Sequence, residues 1–363
     1  MAIPINLLTD RLSNYQSKID FHALRNPIAE PMKYTLFLTN TCNMLCDMCT
    51  QRHVTANNAA YMEECIWTKL LNETSWTYPR YVLFGGEPLM HPQFKEIVME
   101  IINRDCNVDV VTNGMLLNKF VDCIADKHVS LFISMSGCEK THNKIKHNCR
   151  SFEEIRLSIE KIKKTDSRFL ENNVSVNCVL LPDNIDDISS FVKVIQDWGI
   201  RKLTLQHPQW TCHQMRLFTN EEWKERLGVE YSLVEEMNKT YLFDKAYLRR
   251  YMRIKKKILN ETKDIDIHFF PDFKDEELDL YYDDKQVFFM QNDNACLVPW
   301  LSPIIDVNGD IKSCVDYAVG NIMVDNFWHC WNGTKNQVFR KSLMECSSFP
   351  VCKRCCLNYE HFI

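Results

Sequence analysis

Residues 33–49 read KYTLFLTNTCNMLCDMC. The first seven, Lys33–Thr39, are rich in β-branched, aromatic and aliphatic side chains and read as a strand. The polar loop that follows holds Cys42, Cys46 and Cys49 at spacings of four and three. Three thiolates within reach of one another suit three irons of a [4Fe–4S] cube and leave the fourth iron without a protein ligand, open to a small molecule. The same loop also suits a Cys3His zinc site with His53 as the fourth ligand, because zinc accepts tetrahedral sulfur and nitrogen donors.

Downstream, short β-rich runs at Tyr81–Phe84, Asn107–Thr112, Val129–Met135, Val174–Leu181 and Lys202–Gln206 alternate with amphipathic stretches. Phe94, Ile97, Val98, Ile101 and Ile102 form one helical stripe, Phe152, Ile155, Ile159 and Ile162 a second. Ile185, Ile188, Val192, Ile195 and Trp198 form a third, closed by Gly199 as a C-cap. Strand-then-helix repetition predicts an α/β fold with a parallel sheet, whose ligands bind at the C-terminal strand ends. Those ends carry Gly85-Gly86-Glu87-Pro88, Thr112-Asn113-Gly114 and Ser134-Met135-Ser136-Gly137. Paired glycines let a ligand approach the backbone, and the Glu87 carboxylate with nearby carbonyls suits an ammonium. After Gln206 the pattern predicts long helical segments over Thr219–Lys263 and a strand at Ile265–Phe270, with a domain boundary near 271.

The composition narrows the class. At 363 residues the chain holds one large domain or two smaller ones. A net charge of −5 excludes a general nucleic-acid footprint. No run approaches the ~20 apolar residues of a membrane span, and the first residues lack a basic flank before a hydrophobic run, so a cytoplasmic protein is expected. Nine glycines are well under half the usual share of about 7%, while seventeen cysteines, an odd number, point to metal or reactive thiols rather than a disulfide scaffold. Cys65, Cys106, Cys123 and Cys178 read as small core residues. Cys212 sits in the polar loop Trp210-Thr211-Cys212-His213 after the sixth strand and is a candidate catalytic thiol facing the mouth, whereas His207 and His213 read as surface histidines. Lys245 to Lys257 holds seven basic residues and no acidic one, and Asp272 to Asp284 seven acidic and one basic. Both read as solvated surfaces that partly neutralise each other.

With the cysteine triad, Gly-Gly-Glu-Pro and the fourth-strand serine in this order on successive strands, the sequence resembles the radical S-adenosylmethionine (SAM) enzymes. The resemblance implies a partial (β/α)6 barrel over 33–271, preceded by an arm over 1–32. It implies that Cys42, Cys46 and Cys49 hold a [4Fe–4S] cluster whose open iron is chelated by the amino and carboxylate groups of SAM. Gly85, Gly86, Glu87 and Pro88 match the motif that binds the methionine amino group, Asn113 lies at the same face, and Ser134 matches a serine near the SAM ribose. Ser136 stands where an aspartate is common, and Met48 replaces an aromatic often found before the third cysteine. Cys296-x12-Gly309-x4-Cys314 followed by Cys352-x2-Cys355 is similar to the SPASM/twitch extension of that family, here over 272–363. Its hairpin would turn at Asp306–Gly309 and carry Cys296 and Cys314 at its ends. That likeness implies an auxiliary [4Fe–4S] cluster on Cys296, Cys314, Cys352 and Cys355, leaving Cys330, Cys346 and Cys356 over; a zinc-ribbon-like site on the same four is the alternative. The implied activity is reductive cleavage of SAM and hydrogen-atom abstraction from a small molecule or a peptide, supported by a low-potential donor such as flavodoxin or ferredoxin, with no membrane or nucleic-acid partner. Oxidation of the substrate is expected over thiol-dependent epimerisation through Cys212. A non-catalytic metal-binding scaffold is the reading from another class.

Overall fold

Apolar residues of period two put Tyr34, Leu36 and Leu38 on one face of β1 (Lys33–Thr39), where all three are fully buried. The same alternation continues in β2 (Arg80–Gly85), β3 (Asn107–Thr112), β4 (Val129–Met135), β5 (Val174–Val179), β6 (Lys202–Gln206) and β7 (Asp266–Phe270). In the computed structural model, which describes residues 30–51, 60–232, 236–286, 296–346 and 348–359, these seven strands pair in sequence order and all run parallel. The arm up to residue 29 and His53 lie outside the described residues.

Parallel neighbours require crossovers, and helices supply them: α1 (Glu64–Thr74), α2 (Phe94–Asn103), α3 (Val121–Ile124), α4 (Glu139–Lys146), α5 (Ser151–Thr165), α6 (Ser167–Asn173), α7 (Ile188–Trp198), α8 (His213–Leu227), α9 (Lys245–Glu261) and α10 (Asp275–Tyr282). Each stripe read from the sequence lies against the buried strand faces. Phe94, Ile97, Val98 and Ile101 of α2 are fully buried, as are Ile188 and Ile195 of α7, and each such side chain contributes ~1.5–3 kcal/mol. Gly199 ends α7 at φ +88°. The helical stretch expected over Thr219–Lys263 is instead two helices, because Gly228, at φ +67°, caps α8, and the described residues 229–232 and 236–244 form no helix or strand before α9.

The sheet is curled. Lys239 reaches Asp183, in the loop after β5 (2.5 Å), and Asp47, in the loop after β1 (3.9 Å). Four strand spacings would separate those loops by about 19 Å in a flat sheet. Curling leaves a hollow lined by the half-buried alternates, among them Phe37, Phe84, Phe132, Ser134, Asn177 and Thr204.

Beyond residue 271 the chain returns to this same sheet. β8 (Ile304–Ile305) lies parallel to β1, and β9 (Asp310–Cys314) and β10 (Tyr317–Asn321) extend the edge antiparallel, giving ten strands in one sheet. The turn expected at Asp306–Gly309 joins β8 to β9, with the Asp306 carboxylate accepting from the N–H of Asn308 and Asp310. Cys314 ends β9, but Cys296 precedes the short helix α11 (Val298–Leu301) instead of ending a strand. Among the described residues no helix is long and apolar enough to cross a membrane.

Candidate active site at the mouth of the sheet

The loop carrying Cys42, Cys46 and Cys49 is clamped by the two strand ends beside it. Gly86 N–H donates to Thr39 O (2.7 Å) and Glu87 N–H to Thr41 O (2.8 Å). A Cβ on Gly85, whose φ is +124°, would stand 2.3 Å from Thr39 O, and one on Gly86 2.0 Å from Thr41 O. The paired glycines are therefore required by the backbone of the cysteine loop itself, where the sequence suggested the approach of a ligand.

Glu87 is turned inward. Its carboxylate accepts from Thr112 Oγ1 (2.7 Å), Asn113 N–H (2.7 Å) and Leu89 N–H (3.1 Å), capping the short turn Pro88–Met90 and tying the end of β2 to that of β3. Burial pushes its pKa up to about 7, against those three hydrogen bonds and the Lys146 ammonium, which favour the charged form. Three donors on four lone-pair sites leave room for one ammonium hydrogen. Asn113 continues the chain of contacts: its Nδ2 donates to Asn43 Oδ1 (2.7 Å) and weakly to Cys42 Sγ (3.7 Å). Burial pushes the Cys42 thiol up to about 11, and Glu87, Cys46 and Cys49 add to the shift while the Met44 N–H opposes it. A bound cation reverses that balance, because thiolates are the metal-binding form.

Residues that the sequence did not single out roof this loop. Asp47, buried between Cys46 and Cys49, accepts from His147 Nε2 (2.6 Å) and Tyr241 O–H (3.2 Å). Asn238 Nδ2 donates to Cys46 O (2.7 Å) and Lys239 N–H to Asp47 O (2.9 Å). Lys146, at the end of α4, is only 3% exposed, yet its ammonium has no hydrogen-bond or ion-pair partner among the described residues. It acts electrostatically on Glu87, His142 and Cys178. Ser136 Oγ and Asn177 Oδ1 are likewise buried with no hydrogen-bond partner. Ser134 pairs in register with Asn177, side by side in the hollow. Ser136 N–H donates to His142 Nδ1 (3.1 Å), so His142 carries its proton on Nε2 toward Ser151 Oγ (2.7 Å), and burial brings its pKa down to about 3.

The donor set fits a SAM-bound cluster. Three sulfurs share one loop, the Glu87 carboxylate has a lone-pair site left for an ammonium, and the buried Lys146 ammonium acts on that carboxylate. Among the described residues no three donor side chains converge on a point suited to one metal ion. A four-iron cube takes its sulfurs at separate corners and needs no such convergence.

In the extension, Cys352 lies in a buried turn over Pro350–Arg354, and its thiol is raised well above the usual range by burial first, with Cys296, Cys314 and Cys346 adding to it. Cys355 follows directly, its N–H donating to Cys352 O. The residues between them anchor the pair to the rest of the molecule. Lys353 Nζ donates to the carbonyls of Asp283 (2.5 Å) and Gln286 (2.6 Å), and Arg354 to Tyr281 O (3.0 Å) and Asp284 (2.7 Å). The Arg354 guanidinium stacks 3.7 Å over the Trp210 ring. Two buried cations beside a cysteine set offset the negative charge of bound thiolates.

Cys212 lies at the start of α8, where its thiol donates weakly to Asp284 O (3.8 Å), beside Lys353 of the extension. Two expectations need correction. His207 is fully buried, ringed by Tyr251, Phe273, Tyr281 and Tyr282, and bonded through Nδ1 to Tyr282 O–H (2.7 Å). Cys65 is exposed, whereas Cys106 and Cys178 are core residues and Cys123 is half-buried; His213 is exposed, as expected.

Two family profiles match the chain: the radical SAM superfamily over residues 36–195, and the iron-sulfur cluster-binding SPASM domain over 296–356. The sporulation killing factor maturation protein SkfB of Bacillus subtilis is 27% identical over 175 residues, 47% of this chain and 40% of its own length. A GTP 3',8-cyclase of Chlorobaculum tepidum is 25% identical over 210 residues, 54% of this chain and 61% of its own. The chain thus matches these curated relatives over 40% and 61% of their length. Among solved structures, Streptococcus suis SuiB bound to SAM aligns with a TM-score of 0.60 at 15% identity, covering 84% of this chain and 66% of SuiB. Native anSMEcpe with bound SAM aligns with a TM-score of 0.60 at 14% identity, covering 84% of this chain and 82% of its own. At such identities the likeness is one of fold.

Proposed function

The chain belongs to the radical SAM superfamily and carries its SPASM extension, and on that premise we propose that it is a SAM-cleaving enzyme whose reaction is set up at the mouth of the sheet. Cys42, Cys46 and Cys49 hold the cluster. When bound, the cluster supplies the electron that breaks a carbon–sulfur bond of SAM, releasing methionine and a 5′-deoxyadenosyl radical that takes a hydrogen atom from the substrate. The protein's own residues orient and shield. Glu87 and the strand-end carbonyls receive the methionine ammonium, Lys146 the carboxylate, and Ser134 and Asn177 the polar groups that enter the hollow. Asp47 and the segment 238–241 hold the cysteine loop and exclude water from one side.

The observation that carries this reading is the chain of contacts from Glu87 through Asn113 to Asn43 and Cys42, which joins the ends of β2 and β3 to the cysteine loop. The extension holds an auxiliary cluster on Cys296, Cys314, Cys352 and Cys355. The substrate is a small molecule or a peptide. SuiB has been solved with a precursor peptide and the cyclase is named for a nucleotide, so the relatives support both. The contact of the Cys212 thiol with Asp284 O, beside the extension, supports oxidation of the substrate over return of a hydrogen atom from that thiol. Anaerobic reconstitution with iron and sulfide, followed by SAM and dithionite, tests the reading through the appearance of 5′-deoxyadenosine; a fully loaded protein that forms none contradicts it.

A further inference from the structure

The basic run on α9 is neutralised at one point only by the acidic run that follows it. Among the described residues a single ion pair, Lys255 to Asp272 (2.5 Å), joins the two, and Arg250 pairs instead with Asp186. The other five, Lys245, Arg249, Arg253, Lys256 and Lys257, are exposed and make no hydrogen bond or ion pair among the described residues. Lys245, Arg249, Arg253 and Lys257 recur every fourth residue, a row of one sign about 18 Å long on one edge of the helix. Like charges at this spacing destabilise a helix, so the row is not explained by the stability of α9.

We propose that this face of α9 docks an acidic, low-potential one-electron donor protein that serves the centre held by Cys42, Cys46 and Cys49. The inference rests on the reading of that centre given above. Charge complementarity is the first argument: on a chain of net charge −5, a concentrated positive row steers and orients an acidic partner. Position is the second. α9 begins directly after the segment that roofs the cysteine loop, where Asn238 bonds Cys46 O and Tyr241 bonds the Asp47 carboxylate. Leu242, 76% exposed, and Leu45, 53% exposed, offer apolar contact on the two sides of that junction. A protein seated on the mouth end of α9 is then one hydrogen bond, Tyr241 to Asp47, and one residue from Cys46. A peptide substrate is the less suitable occupant, because the same segment, with Lys239 spanning Asp47 and Asp183, bars the way from α9 into the hollow. An electron needs no such opening. The donor loses one electron and the cysteine-held centre gains it; no bond or proton moves.

The test uses the reconstituted protein and its Arg249→Glu/Arg253→Glu/Lys257→Glu variant, with a purified bacterial flavodoxin and a purified bacterial ferredoxin as probes. Anaerobic calorimetry at low and high salt should show at least one donor binding the wild type, with affinity falling at least tenfold in the variant and a flatter salt dependence. Donor-driven 5′-deoxyadenosine formation should fall with the affinity, while dithionite-driven formation stays unchanged. The milder Arg249→Gln/Arg253→Gln variant, which relieves like-charge repulsion and should melt no lower than the wild type, should lose an intermediate amount of affinity. Equal donor affinity in all three proteins, or binding of neither donor to the wild type, would overturn the proposal, as would variant-sensitive binding of a polyglutamate peptide alone. Failure of dithionite-driven SAM cleavage in the wild type would instead contradict the proposed function, whichever donor binds.

Discussion

The mouth of the sheet and the C-terminal extension both gather cysteines, by opposite means. At the mouth the three sulfurs lie within eight residues, and the work of the fold is to hold one loop still. It does so with short polar links between neighbouring strand ends, Glu87 to Asn113 and Asn113 to Asn43, and with a roof on Asp47. In the extension Cys296 and Cys355 are far apart in the chain, and the set is assembled by tertiary packing: the pairing of β8 with β1, which carries β9 and Cys314 along, and the Cys352 turn anchored by Lys353 and Arg354 against Tyr281, Asp283 and Trp210. The first region is thus sensitive to loss of hydrogen bonds, the second to loss of packing and buried charge.

That contrast can be broken most forcefully at Cys352. Replacing it by alanine should lower the iron content of the reconstituted protein from about eight to about four per chain and leave SAM cleavage at the mouth intact. Parallel loss of 5′-deoxyadenosine would mean that the two regions do not act separately. Next in size is Arg354→Ala, which removes the stack on Trp210 and the hydrogen bonds to Tyr281 and Asp284 from a fully buried position; chemical denaturation should report a loss of about 3 kcal/mol. An effect under about 1 kcal/mol would show that packing around Cys352 does not depend on this cation.

Glu87→Ala should cost about 2 kcal/mol at neutral pH by leaving the N–H groups of Leu89 and Asn113 without their acceptor. It should also weaken SAM binding. Because the folded carboxyl titrates near 7, above its unfolded value of 4.5, its contribution to stability is fully present below pH 4.5 and is lost as pH rises through 7. Stability of the wild type relative to the variant should therefore shrink by roughly 3 kcal/mol between pH 4.5 and 8. A difference flat in pH would place the carboxyl in a more polar setting. The smallest expected effect is that of Asn113→Ala, about 1 kcal/mol in stability, with a looser cysteine loop detectable as faster amide exchange at Asn43 to Cys46. Unchanged exchange would remove Asn113 from the links that hold the loop.

The same contrast explains what was legible in the sequence. The parallel strands, the helix stripes and the mouth motifs were readable because each is local: a period of two, a period of 3.6, and cysteines three and four apart. The seventh strand, Ile265–Phe270 in expectation, also appears, but its pairing with β6 and the return of β8 to β1 depend on contacts with no local signature. Lys146 carries no such signal, because a lysine at the end of a helix ordinarily reads as solvated, whereas here it is buried. His207 was read as a surface residue for the same reason; its cage of Tyr251, Phe273, Tyr281 and Tyr282 comes from segments at least 40 residues downstream. Gly85 and Gly86 read as admitting a ligand, whereas what approaches them is the backbone at Thr39 and Thr41.

In the proposed function SAM is cleaved at the loop of Cys42, Cys46 and Cys49. Wild type and the Cys42→Ala/Cys46→Ala/Cys49→Ala variant should be reconstituted anaerobically side by side, with iron counted and 5′-deoxyadenosine measured after addition of SAM and dithionite. The wild type should hold about eight irons and form 5′-deoxyadenosine, and the variant should hold about four irons and form none. Undiminished 5′-deoxyadenosine from the variant would contradict the proposed function.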